Sequence, residues 1–136
     1  VYQAGTLSAN PVAMAAGKAT CEILLQDGFY EDLAAKTTQF TDILRDHCAA
    51  KGYKVYIQEI GSIFWISFAD TPAVAADDID SSGMDLFKVL HSELIRRGVY
   101  LGPSGYEVGF VSAAHTDKDL KEAAVIINEC LDIVFS

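Results

Sequence analysis

Hydrophobic residues recur along the chain with the period of an α-helix in four segments. The first, from Asn10 to about Asp27, is apolar around most of its circumference, which is typical of a helix that is buried on several sides. The other three cover about residues 30–50, 84–97 and 116–134, where apolar side chains repeat every three or four positions. The pattern therefore predicts four helices, and three of them place one apolar face on a core.

Shorter segments between the helices favour β-strands. Residues 54–59 and 63–68 are rich in β-branched and aromatic side chains, and the Gly-Ser pair at 61–62 predicts a tight turn between them. Residues 99–101 and 108–112 predict two further short strands around a second turn. The order helix, helix, strand, strand, helix, strand, strand, helix predicts an α+β fold, with a mostly antiparallel small sheet covered by helices.

The segment 70–83 combines Pro72 with four aspartates and several small residues, which predicts a surface loop. Its acidic cluster of Asp77, Asp78 and Asp80 lacks the central glycine and the closing glutamate of an EF-hand calcium loop. A solvated loop is therefore favoured over a calcium site.

The composition indicates one domain and argues against a nucleic-acid partner. Of the 136 residues, 51% are hydrophobic, which is enough for a sizeable core. The formal net charge is −9, whereas binding to a phosphate backbone needs clustered lysines and arginines. No apolar run approaches the length of a membrane span. We therefore expect neither a nucleic-acid nor a membrane partner.

The cysteines indicate the redox compartment of the protein, and the first residue indicates whether the chain is part of a longer one. Cys21, Cys48 and Cys130 are odd in number and far apart, so they predict three core thiols in a reducing cytoplasm rather than disulfides or a zinc site. The chain begins at Val1, without an initiator methionine or a signal-peptide pattern. We expect it to be a piece of a longer protein.

The three histidines predict structural roles and no metal site. His47 lies late in the second predicted helix, where a cation suits the helix dipole, and His91 lies on or beside a core face. His115 precedes the helix cap Thr116, where a structural hydrogen bond is favoured over acid–base chemistry. Because no cysteine or carboxylate stands at ligand spacing from them, metal binding is disfavoured.

The entrance to the first helix is the strongest candidate site. Asn10 is a good N-cap residue and Pro11 suits the first helical position, since it has no N–H to leave unpaired. The preceding Gly5, Thr6, Leu7 and Ser8 offer N–H groups and two hydroxyls beside the positive end of the helix dipole, which suits a phosphate or a carboxylate. The alternative is a capped helix without a ligand.

Two blocks of sequence resemble one enzyme family. Residues 2–17, YQAGTLSANPVAMAAG, are similar to the segment that joins the cofactor domain to the C-terminal domain in glutamate-1-semialdehyde 2,1-aminomutases. Residues 98–115, GVYLGPSGYEVGFVSAAH, are similar to the C-terminal signature of the same family. The resemblance implies a C-terminal fragment of a homodimeric, fold-type-I pyridoxal phosphate enzyme of the class III aminotransferases. Residues 1–27 would be the end of the cofactor-domain loop and the connecting helix, and residues 28–136 the C-terminal small domain.

The resemblance also implies an activity. The family converts glutamate-1-semialdehyde to 5-aminolevulinate for tetrapyrrole (porphyrin) synthesis, by way of the pyridoxamine form of its cofactor. Its Schiff-base lysine precedes the Gly-Thr loop and is therefore absent from this chain. None of the seven lysines present has the pattern of a buried nucleophile. The fragment alone is expected to be inactive, and its partner is the N-terminal cofactor domain of the same chain.

The first block carries the candidate cofactor residues. Thr6 matches the family threonine whose hydroxyl contacts the cofactor phosphate of the neighbouring subunit, and Gly5 and Ser8 are candidates for the same loop. Ala9 stands where the family commonly has glycine, and an alanine there would be disfavoured if the position needs a positive φ.

The second block carries the candidate active-site carboxylate. Glu107 matches a family glutamate near the active site, where ordinary aminotransferases tend to have an arginine that pairs with a dicarboxylate co-substrate. A carboxylate at this position would repel that co-substrate. The alternative to an active-site role is a solvated glutamate at a strand end. Ser104 and Tyr106 would line the same mouth. Gly105 is smaller than the usual family residue, and we expect it to widen the entrance or loosen Glu107.

Two further functions remain open from the sequence. One is another class III pyridoxal phosphate aminotransferase, against which Glu107 argues. The other is a stand-alone α+β interaction module, which fits poorly with the long apolar helix after Asn10.

Overall fold

The computed structural model describes residues 5–136 and contains helices packed with a small antiparallel sheet. Residues 2–4 of the first family-like block lie outside this range. The elements in chain order are α1 (Pro11–Leu24), α2 (Phe29–Lys51), β1 (Tyr56–Ile60), β2 (Ile63–Ser67), a 3-10 turn (Ala76–Asp78), α3 (Gly83–Arg96), β3 (Gly109–Phe110) and α4 (Asp117–Val134). All four predicted helices are present, with ends that differ from the prediction by three residues or fewer.

The chain divides into two compact units, the first ending at Asp32 and the second running from Leu33 to Ser136. The first unit contains α1, none of whose side chains is buried. Val12 is 78% exposed and Met14 is 62% exposed, although the apolar pattern predicts burial on several sides. The described residues therefore do not supply the partner surface that this apolar pattern favours.

The second unit is built on a three-stranded sheet in the order β1-β2-β3. All its pairs are antiparallel, with Ile57 opposite Ile66 and Ile63 opposite Phe110. Phe64 and Ile66 are buried on one face of β2, while Trp65 between them points to the other face. The core on the buried face takes its largest side chains from α2, α3, α4 and the sheet: Phe40, Leu44, Phe64, Phe87, Leu90, Leu94, Ile127 and Leu131.

The predicted strand at 99–101 is wrong, and two of its backbone groups bond to α3 instead. The Val99 N–H donates to the Leu94 carbonyl at 3.0 Å and closes the end of α3. The Leu101 carbonyl lies 3.2 Å from Nε2 of His91. Both Val99 and Leu101 still pack against the core. An extended, apolar segment becomes a strand only when a partner strand satisfies its backbone groups.

The predicted strand at 108–112 is present but shorter, since β3 comprises Gly109 and Phe110. Val111 still donates its N–H to the Ser62 carbonyl at 2.9 Å. Beyond it the chain turns, because the Ser112 N–H donates to Nδ1 of His115 at 3.1 Å. The structural hydrogen bond predicted for His115 is thus observed.

The acidic segment 70–83 forms a loop, as predicted, and two of its carboxylates accept hydrogen bonds from the backbone of the loop itself. Asp78 accepts hydrogen bonds from the N–H groups of Val74 and Ala75, and Asp80 accepts one from Ser82. Within residues 5–136, no cluster of three or more histidine, cysteine, aspartate or glutamate side chains is arranged to hold a metal ion.

The cysteines are not all core thiols. Cys48 and Cys130 are buried, whereas Cys21 is exposed on α1. Burial, with a smaller contribution from Asp132, raises the pKa of the Cys48 thiol to about 11. Burial also raises the pKa of Cys130. The prediction of three core thiols is therefore wrong for Cys21, because α1 has no buried side chain. None of the helices in the described part of the chain combines the length and apolar character needed to cross a membrane.

Candidate functional site

The loop before α1 is a pair of tight turns. The Ser8 N–H donates to the Gly5 carbonyl at 3.0 Å, and the Asn10 N–H donates to the Leu7 carbonyl at 3.2 Å. A Cβ added at Gly5 would lie 2.6 Å from Oγ of Ser8, so a glycine is what allows the Ser8 hydroxyl to lie against this backbone.

Ala9 closes the loop in a left-handed backbone conformation, with φ of 58°. Among residues 5–136, it is the one non-glycine residue with positive φ. An L-residue in this region brings its Cβ close to the neighbouring carbonyl oxygen, which costs about 1–2 kcal/mol. The glycine that the family resemblance implies at this position would carry no such cost.

The helix cap agrees with the sequence. Oδ1 of Asn10 accepts the N–H groups of Val12 and Ala13 at 3.0 and 3.2 Å, and Pro11 has no N–H. The Met14 N–H donates to the Asn10 carbonyl at 2.9 Å. The first-turn donors of α1 are therefore already used. An anion at this loop would have to take its hydrogen bonds from the turn residues instead.

Thr6 supplies such donors. Its hydroxyl and its N–H, and the N–H of Leu7, form no hydrogen bond with another residue in the range 5–136. Both residues are exposed, and the first turn of α1 contains no acidic side chain. Within residues 5–136, the loop therefore presents donors without a partner beside the positive end of a helix dipole, and no carboxylate in that turn repels an anion.

The second candidate region is the turn from Ser104 to Glu107. The Glu107 N–H donates to the Ser104 carbonyl at 2.9 Å, and Oγ of Ser104 accepts the N–H of Tyr106 at 3.3 Å. Gly105, the first central residue of this turn, is buried, whereas Tyr106 and Glu107 are exposed. The turn thus places the Glu107 carboxylate at the surface of the second unit.

Trp65 holds this turn from the sheet, a contact that the sequence interpretation missed. Its indole N–H donates to the Gly105 carbonyl at 2.8 Å. The sequence does contain a signal for such a contact, because a half-buried tryptophan in a strand needs an acceptor for its N–H. It does not identify the acceptor, which lies 40 residues away along the chain.

The sequence had suggested that Gly105 widens an entrance, but the structure shows no open space beside it. A Cβ at this position would lie 2.6 Å from Sδ of Met84 and 3.1 Å from Cβ of Phe87, so the space is already filled by α3. The small residue is explained by close packing between the turn and this helix.

A groove of about 570 Å³ lies next to the turn. Trp65, Tyr106 and Val108 contribute to its lining, as does the loop that starts at Ala73. That loop is held by Gln58, whose amide exchanges two hydrogen bonds with the backbone of Ala73 at 3.1 and 3.2 Å. Glu107 lies between two lining residues in the sequence and is not itself part of the lining. The Thr6 loop and the Glu107 turn belong to different compact units.

His47, a further residue considered from the sequence, has a structural role. Nε2 of His47 and the hydroxyl of Tyr53 each lie 2.8 Å from Oδ1 of Asp132. The hydrogen bond from Tyr53, and to a smaller extent that from His47, holds the pKa of Asp132 below its usual 3.8. The same contact with Asp132 raises the pKa of Tyr53. These groups tie the end of α2 to α4.

None of the seven lysines is buried. Lys36 is half-buried and donates to the His115 carbonyl at 2.9 Å, and the other six are exposed. A lysine that acts as a nucleophile is usually desolvated, so that its pKa falls. The chain therefore lacks a lysine in the surroundings that such chemistry requires.

Comparisons with known proteins identify the relatives of the chain. A sequence profile for the family Aminotransferase class I and II matches residues 2–127. The glutamate-1-semialdehyde 2,1-aminomutase of Desulfitobacterium hafniense (strain Y51) is 42% identical over 120 residues, which cover 88% of this chain and 28% of that protein. The protein of the same name from Neisseria meningitidis serogroup C (strain FAM18) is 42% identical over 129 residues, covering 95% of this chain and 30% of that protein. The chain thus spans less than one third of these relatives.

Solved structures agree on the fold. A glutamate-1-semialdehyde aminomutase from Pseudomonas aeruginosa PAO1 superposes with a TM-score of 0.79 at 20% identity, over 96% of this chain and 29% of that one. A β-phenylalanine aminotransferase from Variovorax paradoxus gives a TM-score of 0.83 at 23% identity, over 97% of this chain and 30% of that one. The predicted α+β fold is confirmed.

The profile match covers all but the ends of the chain, and the curated relatives carry the family name that the two sequence blocks had suggested. The chain belongs to the class I and II aminotransferase family.

Proposed function

We propose that this chain is the C-terminal part of a glutamate-1-semialdehyde 2,1-aminomutase. The complete protein would use pyridoxal phosphate to convert glutamate-1-semialdehyde to 5-aminolevulinate, the amino acid from which porphyrins are built. The observation that carries the proposal is 42% identity to enzymes of that name over 88–95% of this chain. A transaminase with pyridoxal phosphate bound and a glutamate-1-semialdehyde aminomutase from Pseudomonas aeruginosa PAO1 in complex with pyridoxamine phosphate share the fold, and they support the choice of cofactor.

In this proposal residues 1–27 end the cofactor-domain loop and form the connecting helix, and residues 28–136 form the small domain. The exposed apolar side chains of α1, such as Val12 and Met14, support a missing neighbour, because such side chains gain free energy when they are buried. The Schiff-base lysine would come from the cofactor domain, which precedes this chain. The complete protein would be a homodimer.

The Thr6 loop has the chemistry to hold a phosphate group. Its N–H groups and hydroxyl are hydrogen-bond donors that no other residue in the range 5–136 accepts, and the dipole of α1 favours an anion at this end. The cofactor, when bound, would act as the electron sink for amino-group transfer. The part of Thr6 would be to bind the phosphate of the neighbouring subunit's cofactor through its hydroxyl, with Gly5 and Ser8 shaping the turn.

Glu107 would act on specificity. It is exposed, and it forms no ion pair with another residue in the range 5–136. An unpaired carboxylate near the active site would repel a dicarboxylate keto acid through like charge. Glu107 would thus disfavour amino transfer to an external keto acid and retain the amino group for the intramolecular reaction.

The test compares this chain with the complete protein from the same reading frame, each supplied with pyridoxal phosphate and glutamate-1-semialdehyde. The visible absorbance of bound cofactor and the release of 5-aminolevulinate are measured. We expect both from the complete protein and neither from this chain. If the complete protein binds cofactor but only exchanges amino groups with external keto acids, it is an aminotransferase instead. If it binds none, the family activity does not apply.

Two pairs of variants test the residues. We expect Thr6→Val to weaken cofactor retention in the complete protein, and Thr20→Val to leave it unchanged, because the Thr20 hydroxyl donates within α1 to the Ala16 carbonyl. Equal retention in both variants would remove Thr6 from the phosphate site.

Glu107→Arg should raise transamination with an external keto acid relative to 5-aminolevulinate formation. The matched control is Glu122→Arg, which makes the same charge change at an exposed position of α4. An equal ratio of the two activities in both variants would exclude Glu107 from specificity.

A further inference from the structure

Trp65 lies where it can control the turn that carries Glu107. Its neighbours Phe64 and Ile66 are buried in the core, so the alternation of β2 places Trp65 on the opposite face of the sheet. The indole N–H donates to the Gly105 carbonyl at 2.8 Å. This N–H is the only hydrogen-bonding group of a tryptophan side chain, and it is fully used here.

Gly105 is held from a second direction by α3. A Cβ at this position would lie 2.6 Å from Sδ of Met84 and 3.1 Å from Cγ of Phe87, so the Gly105 backbone packs closely against the helix. Trp65 restrains the carbonyl and α3 restrains the Cα. The central peptide of the turn is therefore fixed on both sides.

The position of Glu107 follows from this peptide. Its N–H closes the turn on the Ser104 carbonyl at 2.9 Å, two residues after the carbonyl that Trp65 binds. The Glu107 side chain is exposed and forms no hydrogen bond or ion pair with another side chain in residues 5–136. Its location therefore depends on the backbone of the turn and on its packing against the backbone of Gly102.

We propose that Trp65 is a positioning residue for Glu107, acting through the hydrogen bond from its indole to the Gly105 carbonyl. The functional half of this proposal rests on the proposed function, in which Glu107 controls the fate of the amino group. Trp65 touches neither substrate nor cofactor in this role. It restricts the space that the carboxylate samples.

The test uses Trp65→Phe in the complete protein, which keeps an aromatic ring on the sheet and removes the N–H. The control is Tyr53→Phe, which removes a hydrogen bond of the same length from the segment after α2 to Asp132 on α4. Hydrogen exchange at the Glu107 amide should accelerate about fivefold in Trp65→Phe, as expected for the loss of one hydrogen bond, and stay unchanged in Tyr53→Phe. Unchanged exchange at Glu107 in Trp65→Phe would overturn the proposal.

The functional readout is the ratio of external transamination to 5-aminolevulinate formation. Trp65→Phe should raise this ratio in the same direction as Glu107→Gln, and the double variant should show no further increase. Tyr53→Phe should leave the ratio unchanged.

Three results separate the two proposals. If Glu107→Gln changes the ratio and Trp65→Phe does not, Trp65 is merely structural and the inference is wrong. If Glu107→Gln itself has no effect, the proposed role of Glu107 fails, and the functional half of the inference fails with it. Faster exchange at Glu107 in Trp65→Phe would then still support the hydrogen bond as the restraint on the turn.

Discussion

Glu107 lies directly against the backbone of Gly102. A Cβ added at Gly102 would overlap the carboxylate of Glu107 and would lie 2.8 Å from its Cδ and 2.9 Å from its Cβ. The Cβ of Glu107, at 2.9 Å, cannot be moved away by rotation of the side chain. The path of the glutamate side chain therefore requires a residue without a side chain at position 102.

Gly102→Ala should displace Glu107 and, under the function proposed above, raise the ratio of external transamination to 5-aminolevulinate formation in the complete protein. We expect a loss of stability of about 1–3 kcal/mol, because overpacking forces the backbone to shift. Activity assays and denaturant unfolding measure the two effects. Gly17→Ala is the control, since nothing lies within 4 Å of a Cβ there. It should stabilise α1 by about 0.8–1 kcal/mol and leave the ratio of activities unchanged.

Ala9→Gly should stabilise the entrance to α1. The left-handed backbone at Ala9, with φ of 58°, is costly for alanine and free of steric cost for glycine, so we expect a gain of about 1 kcal/mol. Hydrogen exchange of the α1 amides measures local stability. Ala13→Gly, in the first turns of the helix, should have the opposite sign, because glycine is a poor helix former. A loss of stability in Ala9→Gly would show that the turn does not carry this strain.

Protonation of Asp132 should contribute to the loss of stability in acid. Its pKa is lowered in the folded state, so its contribution to stability is present above the usual value of 3.8 and is lost as the pH falls through the lower folded value. In Asp132→Asn, the part of the stability loss that occurs below about pH 4 should be smaller.

Denaturant midpoints measured from about pH 6 to about pH 2 give this dependence. The control is Glu122→Gln, which breaks an exposed pair with Lys118 on the same helix and should retain the parental pH profile. Identical acid profiles for Asp132→Asn and the parent would contradict the assignment of this carboxylate.

Cys21 should be the one thiol that reacts in the folded chain. It is exposed, whereas Cys48 and Cys130 are buried and their pKa values are raised. A thiol reagent at about pH 8 should label one equivalent under native conditions and three after denaturation. Cys21→Ser should abolish the native reaction, whereas Cys48→Ser should not. Rapid labelling of two or more thiols in the folded protein would contradict the burial of Cys48 on α2 and Cys130 on α4.

The sequence by itself determined the features that depend on neighbouring residues. Asn10 caps α1 and Thr116 caps α4, because each cap bonds to a backbone N–H no more than three positions away. The helices follow equally from local apolar periodicity. The family blocks at 2–17 and 98–115 likewise consist of contiguous residues, so they were visible without a fold.

Tertiary structure decided the features that depend on distant partners. Residues 99–101 are apolar enough for a strand, but within residues 5–136 no strand of the sheet pairs with them. Trp65 binds a carbonyl 40 residues away, and Gly105 is small because α3 fills the space beside it. A sequence pattern reports which residues can be buried or paired, whereas the identity of each partner depends on how the helices and strands pack.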